Sequence, residues 1–189
     1  MQNKTLYVFF ILTCLTCCKS ENKKFTIEGT VPSTKYDGEW VYLVPVEGAC
    51  SSNVDSVKIT NASFSFEGEK EQMSIIRTRP LLRLKLQELL LVTEPGTTKA
   101  IIDSVSSVHG TPQNDALQLW KEEKEKIMIG YKFIRKGLET VSGKDSLRWV
   151  AQKEMFVKRE HINNERFLKE QGHNTVGAFV RKITEETNK

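Results

Sequence analysis

The sequence Gly110-Thr-Pro-Gln-Asn-Asp-Ala-Leu-Gln-Leu-Trp120 separates two parts of the chain that have different periodicity. Before it, apolar and polar residues alternate, which is typical of half-buried β-strands. After it, apolar residues recur at intervals of three and four, which is typical of amphipathic helices. Thr111 suits an N-cap and Pro112 suits the first helical position, so we predict that a helix begins here. The sequence therefore predicts an α+β chain with its strands first and its helices last.

Residues 25–110 contain several stretches with the strand pattern. The stretches are 25–30, 41–45, 64–66, 82–86, 89–92 and 99–102. Polar turns such as Tyr36-Asp-Gly38 and Glu94-Pro-Gly96 separate them, and none of the intervals has a helical pattern. Strands in this arrangement predict an antiparallel β-sandwich or a partly open barrel, and the pattern fits either architecture.

Residues 111–189 are predicted to form a helical segment. An apolar stripe with spacings of three and four runs from Leu117 to Val141, with one polar interruption at Lys124. We interpret this stripe as core, and self-association through it is the alternative. Gly130 and Gly137 each cost a helix about 1 kcal/mol relative to Ala, so a bend or break is expected there.

A second helix is predicted over about residues 145–170, after the turn Ser142-Gly-Lys-Asp145, and a short third helix after Gly172. The residues expected to face inward from the second helix are Leu147, Ala151, Met155, Phe156, Ile162, Phe167 and Leu168.

The first eighteen residues have the layout of an export signal. Lys4 supplies a positive charge, and the apolar run 6–12 is shorter than the about 20 residues that a membrane-spanning helix needs. Leu15-Thr-Cys-Cys18 resembles a bacterial lipobox, in which the last cysteine is acylated and becomes the new N-terminus. We therefore predict a signal peptide over residues 1–17, lipidation of Cys18 and a polar tether over residues 18–24. An ordinary cleaved signal without lipid is the alternative.

A lipoprotein signal predicts that the protein lies in the bacterial cell envelope, held to a membrane by its lipid. The periplasmic side of the inner membrane, that of the outer membrane and the cell surface are the three possible positions. The chain has 28 basic and 24 acidic residues and a formal charge of +4. These charges are interspersed, as in residues 121–126, so nucleic acid is not an expected partner.

The positions of the cysteines predict a role in export and lipid attachment rather than in redox chemistry. Cys14-x-x-Cys17 has redox-motif spacing, but it lies in the export signal, where the required strand and helix are not expected. With Cys18 committed to lipid, Cys50 is the one thiol left for the exported domain, and a single thiol forms no internal disulfide.

Several segments together resemble a bacterial family catalogued as domain of unknown function 4369. In chain order they are Phe25–Val31, Val41–Pro45, Asp55–Val57, Phe64–Gly68, Glu94–Gly96 and Val108–Ala116. This family commonly forms the N-terminal domain of exported thioredoxin-like lipoproteins, which are thiol-disulfide oxidoreductases. The resemblance covers about residues 25–120, and the stretch through His173–Ala178 resembles the linker that leads into the thioredoxin-like domain.

This sequence differs from those longer relatives in the part that carries their catalytic residues. A thioredoxin-like domain would need about 100 further residues and a C-x-x-C motif in the mature chain. The resemblance therefore implies no catalytic residue for this sequence. The chain is expected to be either a stand-alone form of the domain or a truncated oxidoreductase.

The remaining polar residues give weak signals for chemistry. His109, His161 and His173 fall in different predicted elements, so no metal site is predicted from them. Cys50 has no recognisable base in its neighbourhood, and the glycine patterns of phosphate-binding loops are absent from the sequence. We therefore predict no catalytic, cofactor or metal site.

Two groups of side chains offer ligand-binding alternatives. The basic residues Arg77, Arg79, Arg83 and Lys85 suit an acidic ligand or glycan, although their alternation favours the exposed face of a strand. Trp40, Trp120 and Trp149 suit sugar stacking where they are exposed, and Trp120 is expected to be buried.

The functional expectation is a lipid-anchored envelope protein with a non-catalytic binding or docking β-domain. An envelope protein or a glycan is the expected partner. The alternative is an accessory part of thiol-disulfide exchange that uses Cys50.

Overall fold

The computed structural model of the chain describes residues 23–141 and 143–187. The predicted signal peptide, Cys14, Cys17, Cys18 and the tether up to residue 22 lie outside the described residues. The strands are β1 Phe25–Thr30, β2 Trp40–Pro45, β3 Asp55–Lys58, β4 Ser63–Gly68, β5 Met73–Thr78, β6 Leu89–Val92, β7 Gly96–Ile101 and β8 Ser107–His109. The helices are α1 Pro112–Thr140, α2 Lys144–Gln171 and α3 Thr175–Thr187, with short 3₁₀ helices at Thr34–Tyr36 and Pro80–Leu82.

The strands form two four-stranded sheets, with the orders β4-β1-β7-β8 and β3-β2-β5-β6. Their inner faces share one apolar core, in which Ile27 and Phe66 from the first sheet meet Val41, Ile76 and Leu91 from the second. The α+β prediction is confirmed, and of the two expected architectures the chain adopts the sandwich.

One strand pair departs from the expected antiparallel arrangement. β1 pairs with β4 antiparallel but with β7 parallel, so that Phe25 lies opposite Gly96 and Thr30 opposite Ile101. The chain crosses through the whole second sheet between β1 and β7, which supplies the long connection that a parallel pair needs.

The strand predicted over residues 82–86 is wrong. Pro80 begins a 3₁₀ helix, and Leu84 is 94% exposed in the turn that follows. Leu86 alone of the three alternating leucines is buried, where it joins the sandwich core. Pro80 lacks the N–H that a ladder needs, which explains why apolar alternation did not produce a strand here.

α1 begins at Pro112 in a polar junction at the edge of the sandwich. Glu94 Oε1 accepts hydrogen bonds from the N–H groups of Gln113 at 2.7 Å and Asn114 at 3.0 Å. Thr111 is the N-cap residue, but its side chain makes no capping bond. A carboxylate beside the positive end of a helix dipole is favourable, so Glu94 performs the capping that was expected of Thr111.

The chain enters the β-domain beside this junction. The N–H of Gly96 donates to the carbonyl of Lys24 at 3.0 Å, and the methyl group of Thr111 lies against Gly96. β1 and α1 therefore begin at the same corner of the molecule.

α3 returns to the β-domain and closes a second apolar cluster. Val176 and Val180 pack there with Met73, Leu117 and Phe167, so that strand β5 and all three helices contribute. The ammonium group of Lys182 bonds to Glu47 at 2.6 Å, which ties α3 to the loop after β2.

The apolar stripe of α1 is core within this chain, as interpreted from its spacing. Leu117, Trp120, Ile127 and Ile134 are buried. The inward set expected for α2 is partly wrong, because Leu147, Ala151, Met155 and Ile162 are exposed. Of that set, Phe167 is buried and Phe156 and Leu168 are half-buried, since α2 faces α1 along one edge only.

Candidate functional site: a groove between two helices

α1 and α2 form a long antiparallel hairpin that is fastened near its base by polar contacts. The ammonium group of Lys124 bonds to the carboxylate of Glu160. Two nitrogens of Arg159 contact Glu123 Oε1, Nη2 at 2.5 Å and Nε at 2.7 Å. The hydrogen bond from Arg159, followed by the positive charges of Arg159 and Lys126, holds the pKa of Glu123 below its ordinary value. These contacts fix the spacing of the two helices.

The glycines inside α1 have a packing role. The Phe156 ring lies against Gly130 and the Trp149 ring against Gly137, at positions where an added Cβ would be 2.4 and 2.6 Å from ring carbons. α1 has no break at these glycines, because the helix runs continuously through both residues. Each glycine therefore lowers the intrinsic stability of the helix but allows an aromatic ring of α2 to pack closely against α1.

A groove of about 590 Å³ opens between α1 and α2 near the β-domain. Its walls combine apolar and charged side chains. The lining residues are Ala116, Leu119, Trp120, Glu122, Glu123, Lys126, Asn163, Arg166, Phe167, Glu170 and Gln171. We call this cavity the interhelical groove. Because acidic and basic groups both line it, it does not select a ligand of one charge sign.

Asn163 is the unusual member of this wall. It is 7% exposed, and its Oδ1 accepts a hydrogen bond from Arg166 Nη2 at 3.0 Å. Its Nδ2 has no hydrogen-bond partner among the described residues. A buried donor without a partner costs about 1–3 kcal/mol, and such groups are rare in native proteins. The arginine fixes which end of the amide is the oxygen, so the free end is a donor.

Trp120 is buried, as expected. Its indole N–H donates to Asn164 Oδ1 at 3.0 Å, and its ring lies 6.0 Å from that of Phe167, centroid to centroid. Trp149 packs on Gly137 and is engaged inside the hairpin. Trp40 is 40% exposed and lies under the ammonium group of Lys58. The three tryptophans lie in three separate environments and do not form a shared stacking surface.

The histidines also lie apart, as their predicted elements suggested. His109 Nδ1 is 3.5 Å from Asp115, His161 Nε2 is 3.1 Å from Glu165, and His173 is exposed after α2. Within residues 23–141 and 143–187, no three His, Cys, Asp or Glu side chains are grouped as a metal site requires.

Cys50 lies exposed in the loop after β2. Its sulfur is 3.1 Å from Ser52 Oγ, and this hydrogen bond is the main cause that lowers the pKa of the thiol. A lowered pKa increases the thiolate fraction near neutral pH.

The predicted basic stretch is divided between two structures. Arg77 and Arg79 lie in or beside β5, where Arg77 Nε is 3.5 Å from Glu88 and Arg79 Nη1 is 3.2 Å from Glu39. Arg83 follows the 3₁₀ helix and also contacts Glu88, at 3.0 Å. Because each of these arginines already contacts a glutamate, the basic stretch is not an open site for an acidic ligand.

The eight strands and the start of α1 correspond to a known family. Residues 25–117 match the model of a family described as a domain of unknown function, DUF4369. These residues are a DUF4369 domain. The match includes Glu94 and Asn114 of the polar junction but ends at residue 117. Of the residues that line the interhelical groove, it therefore includes Ala116 alone.

The other comparisons add no relative. Neither the curated proteins nor the solved structures gave a match to the chain. Among the described residues, no helix has both the length and the apolar character needed to cross a membrane.

The sequence analysis did not single out Asn163 or Glu94. Glu94 belongs to a predicted turn, and Asn163 lies within the predicted second helix with no role assigned to it. The available signal for Asn163 was its position four residues before Phe167, which places it on the inward face of α2.

Proposed function

We propose that the protein is a lipid-anchored component of the bacterial cell envelope that works as a non-catalytic docking module. In this proposal the DUF4369 domain is the rigid base, and the interhelical groove is the binding surface. The observation that carries the proposal is the groove of about 590 Å³ with the unpartnered Nδ2 donor of Asn163 buried just behind its wall. A ligand that brings an acceptor oxygen would satisfy this donor once the Asn163 amide turns toward the groove, and it would recover part of the desolvation penalty.

The chemistry of the groove favours a segment of polypeptide as the ligand. A peptide carbonyl supplies the acceptor for Asn163, and an apolar side chain can cover Leu119, which is exposed at the rim. A glycan would need an accessible aromatic face. The ring of Trp120 is buried and its N–H is already bonded to Asn164, so the groove offers no such face through Trp120.

Site-specific photocrosslinking in intact cells tests the groove. A photoreactive amino acid at position 119 should give a discrete adduct with an envelope polypeptide, and the same probe at position 84 should not. Leu84 is equally apolar and more exposed, but it is not a groove residue. Combining the probe at 119 with Asn163→Leu should abolish the adduct. Equal adducts at 119 and 84, or an adduct that persists with Asn163→Leu, would contradict the proposal.

Labelling with radioactive palmitate tests the anchor separately. The sequence Leu15-Thr-Cys-Cys18 supports acylation at Cys18. Label should enter the wild-type protein and disappear with Cys18→Ser, whereas Cys50→Ser should retain it. Label that survives Cys18→Ser, or that is missing from the wild type, would exclude this anchor.

A second candidate function is favoured by Cys50. Its exposure and the lowered pKa of its thiol suit an accessory role in thiol-disulfide exchange with a separate oxidoreductase. Trapping mixed disulfides under non-reducing conditions should then give an adduct that is absent in Cys50→Ser. An unchanged redox state of the partner in Cys50→Ser cells would reject this role.

A further inference from the structure

The far end of the α1–α2 hairpin carries a surface that the groove does not use. We define the hairpin tip as residues 128–141 and 143–150. Five apolar side chains of the tip are more than two-fifths exposed, and Phe133 at 65% and Leu147 at 67% are the most exposed of them. The five are Met128, Ile129, Phe133, Leu147 and Val150. Exposed apolar side chains that lie close together mark interaction surfaces, and these five lie at the same end of two paired helices.

The apolar residues of α1 lie beside basic residues on one face of the helix. Ile129, Lys132, Phe133 and Lys136 follow the spacing i, i+3, i+4, i+7. Ile127 and Ile134 occupy the buried face toward α2. Phe133 lies at the edge of the mixed basic and apolar face, where its ring is 5.4 Å from that of Trp149 in α2, centroid to centroid, and Ile129, Lys132 and Lys136 are exposed.

The tip also carries a net positive charge. Its sequence has five basic residues and two acidic ones, a net charge of +3, compared with +4 for all 189 residues. Lys132, Arg135, Lys136 and Arg148 make no ion pair with any side chain that the structure describes, a set that does not include the side chains of Lys144 and Asp145. At the base of the same hairpin, by contrast, Lys124 and Arg159 are paired. The tip therefore combines basic side chains that have no ion-pair partner with exposed apolar side chains.

We propose that the hairpin tip binds the surface of an anionic lipid bilayer. Phe133, Leu147 and their apolar neighbours would enter the boundary between headgroups and acyl chains, while the lysines and arginines contact lipid phosphates. Basic residues beside aromatic and aliphatic ones are the composition that such interfacial binding requires. A second copy of the chain would bring the same positive charge to the contact, so charge complementarity favours the bilayer over self-association.

The position of the tip agrees with this partner. α1 begins at the corner where the chain enters the β-domain, and its 29 residues make it about 43 Å long. A tether of residues 18–24 spans at most about 25 Å when fully extended. If Cys18 is lipidated as proposed above, the hairpin is long enough for its tip to reach the bilayer that holds the lipid. The binding of the tip itself does not depend on that anchor.

Vesicle co-sedimentation tests the proposal with the non-lipidated chain from Lys19 to Lys189, which contains every described residue. Vesicles of phosphatidylcholine with about one-third phosphatidylglycerol should bind the protein, vesicles of phosphatidylcholine alone should bind it much less, and added salt should weaken the binding. Lys132→Glu with Lys136→Glu should weaken binding by at least about fivefold for each basic residue removed. Phe133→Glu with Leu147→Glu should abolish it.

Leu84→Glu is the matched control, because it places the same charge at an exposed leucine of the β-domain. It should bind as the wild type does, and circular dichroism should show native helix content in all variants. Equal binding to both kinds of vesicle, no binding to either, or an equal loss in the Leu84→Glu control would overturn the proposal. A dimer in sedimentation velocity that Phe133→Glu dissociates would overturn it in favour of a second copy. Because the chain used here has no lipid, failure of this test leaves the anchor and the groove standing.

Discussion

The side chain of Asn114 bonds to both backbone groups of Val92. Its Nδ2 donates to the carbonyl of Val92 at 2.8 Å, and its Oδ1 accepts from the N–H of Val92 at 2.8 Å. β6 is an edge strand that pairs only with β5, so no strand of its sheet lies next to Val92 on the side where Asn114 binds. The amide of Asn114 takes the place of that strand and attaches α1 to the sandwich.

Asn114→Ala should therefore be strongly destabilising. It leaves a buried N–H and a buried C=O without partners, and each such group costs about 1–3 kcal/mol. We expect the free energy of unfolding to fall by about 2–5 kcal/mol, measured by urea denaturation. Asn53→Ala is the control, because its bonds lie in an exposed loop where water replaces them, and it should lose less than about 1 kcal/mol. Equal losses in the two variants would refute this role of Asn114.

Gly110→Ala should destabilise the start of α1 for two reasons. Gly110 has φ +106°, and a Cβ there would lie 2.8 Å from the carbonyl oxygen of Thr97. Gly38 has φ +84° with open space around it, so Gly38→Ala isolates the backbone strain, about 1–3 kcal/mol. Chemical denaturation should show a larger loss for Gly110→Ala than for Gly38→Ala. The reverse order would mean that the contact with Thr97 is easily relaxed.

Stability should rise with pH in the alkaline range because of Lys121. Burial is the main cause that lowers the pKa of Lys121 to about 8, whereas the residue titrates near 10.5 when unfolded. Between these values the unfolded state binds more protons, so the free energy of unfolding increases from about pH 8 to about pH 10. Lys121→Met should raise stability at pH 7 and flatten this rise.

The pH dependence of stability should be measured in proteins that carry Cys50→Ser, one with Lys121 and one with Lys121→Met. The pKa of Cys50 is also lowered, so its titration would add to the rise. The titration of Tyr131 sets the upper limit of the pH range in which stability is expected to rise. Burial is the first cause that raises its pKa above 10, and a raised acidic pKa reduces stability once the unfolded state ionises. A rise that persists unchanged in Lys121→Met would show that another group is responsible.

Asn163→Leu should separate stability from binding. It removes a buried donor without a partner, so we expect stability to be unchanged or to increase by about 1 kcal/mol. Arg166 loses its acceptor, but water can replace it because Arg166 is exposed. Thermal unfolding measures the first effect, and the crosslink at position 119 measures the second. A substantial loss of stability would mean that the amide has a structural partner in solution.

The sequence predicted those parts of the fold that depend on local periodicity. Alternation located β1, β2, β4 and β7, and the spacing of Leu117 and Ile127 identified the core face of α1. The parallel pairing of β1 with β7 was not predictable in this way, because it joins residues about 70 positions apart. The run around Leu84 shows the opposite error, in which local alternation was present but the preceding Pro80 prevented pairing.

The candidate site was less accessible to sequence reasoning. Asn163 Nδ2 is notable because no described acceptor lies within hydrogen-bond distance of it. That property depends on how the helices pack and leaves no pattern in the sequence. Asn114 gave a usable signal, because it lies three residues before Leu117 on the buried face of α1. A polar residue at an inward position generally has a specific partner, which here is Val92.

The parallel pairing of β1 has a mechanical consequence. β1 lies between β4 and β7, and the chain enters it at Lys24. A pull on the chain ahead of Phe25 acts along this strand, so the hydrogen bonds to both neighbours are loaded together in shear instead of opening one by one. If Cys18 is lipidated as proposed, tension from the anchor would enter the domain through its most completely bonded strand.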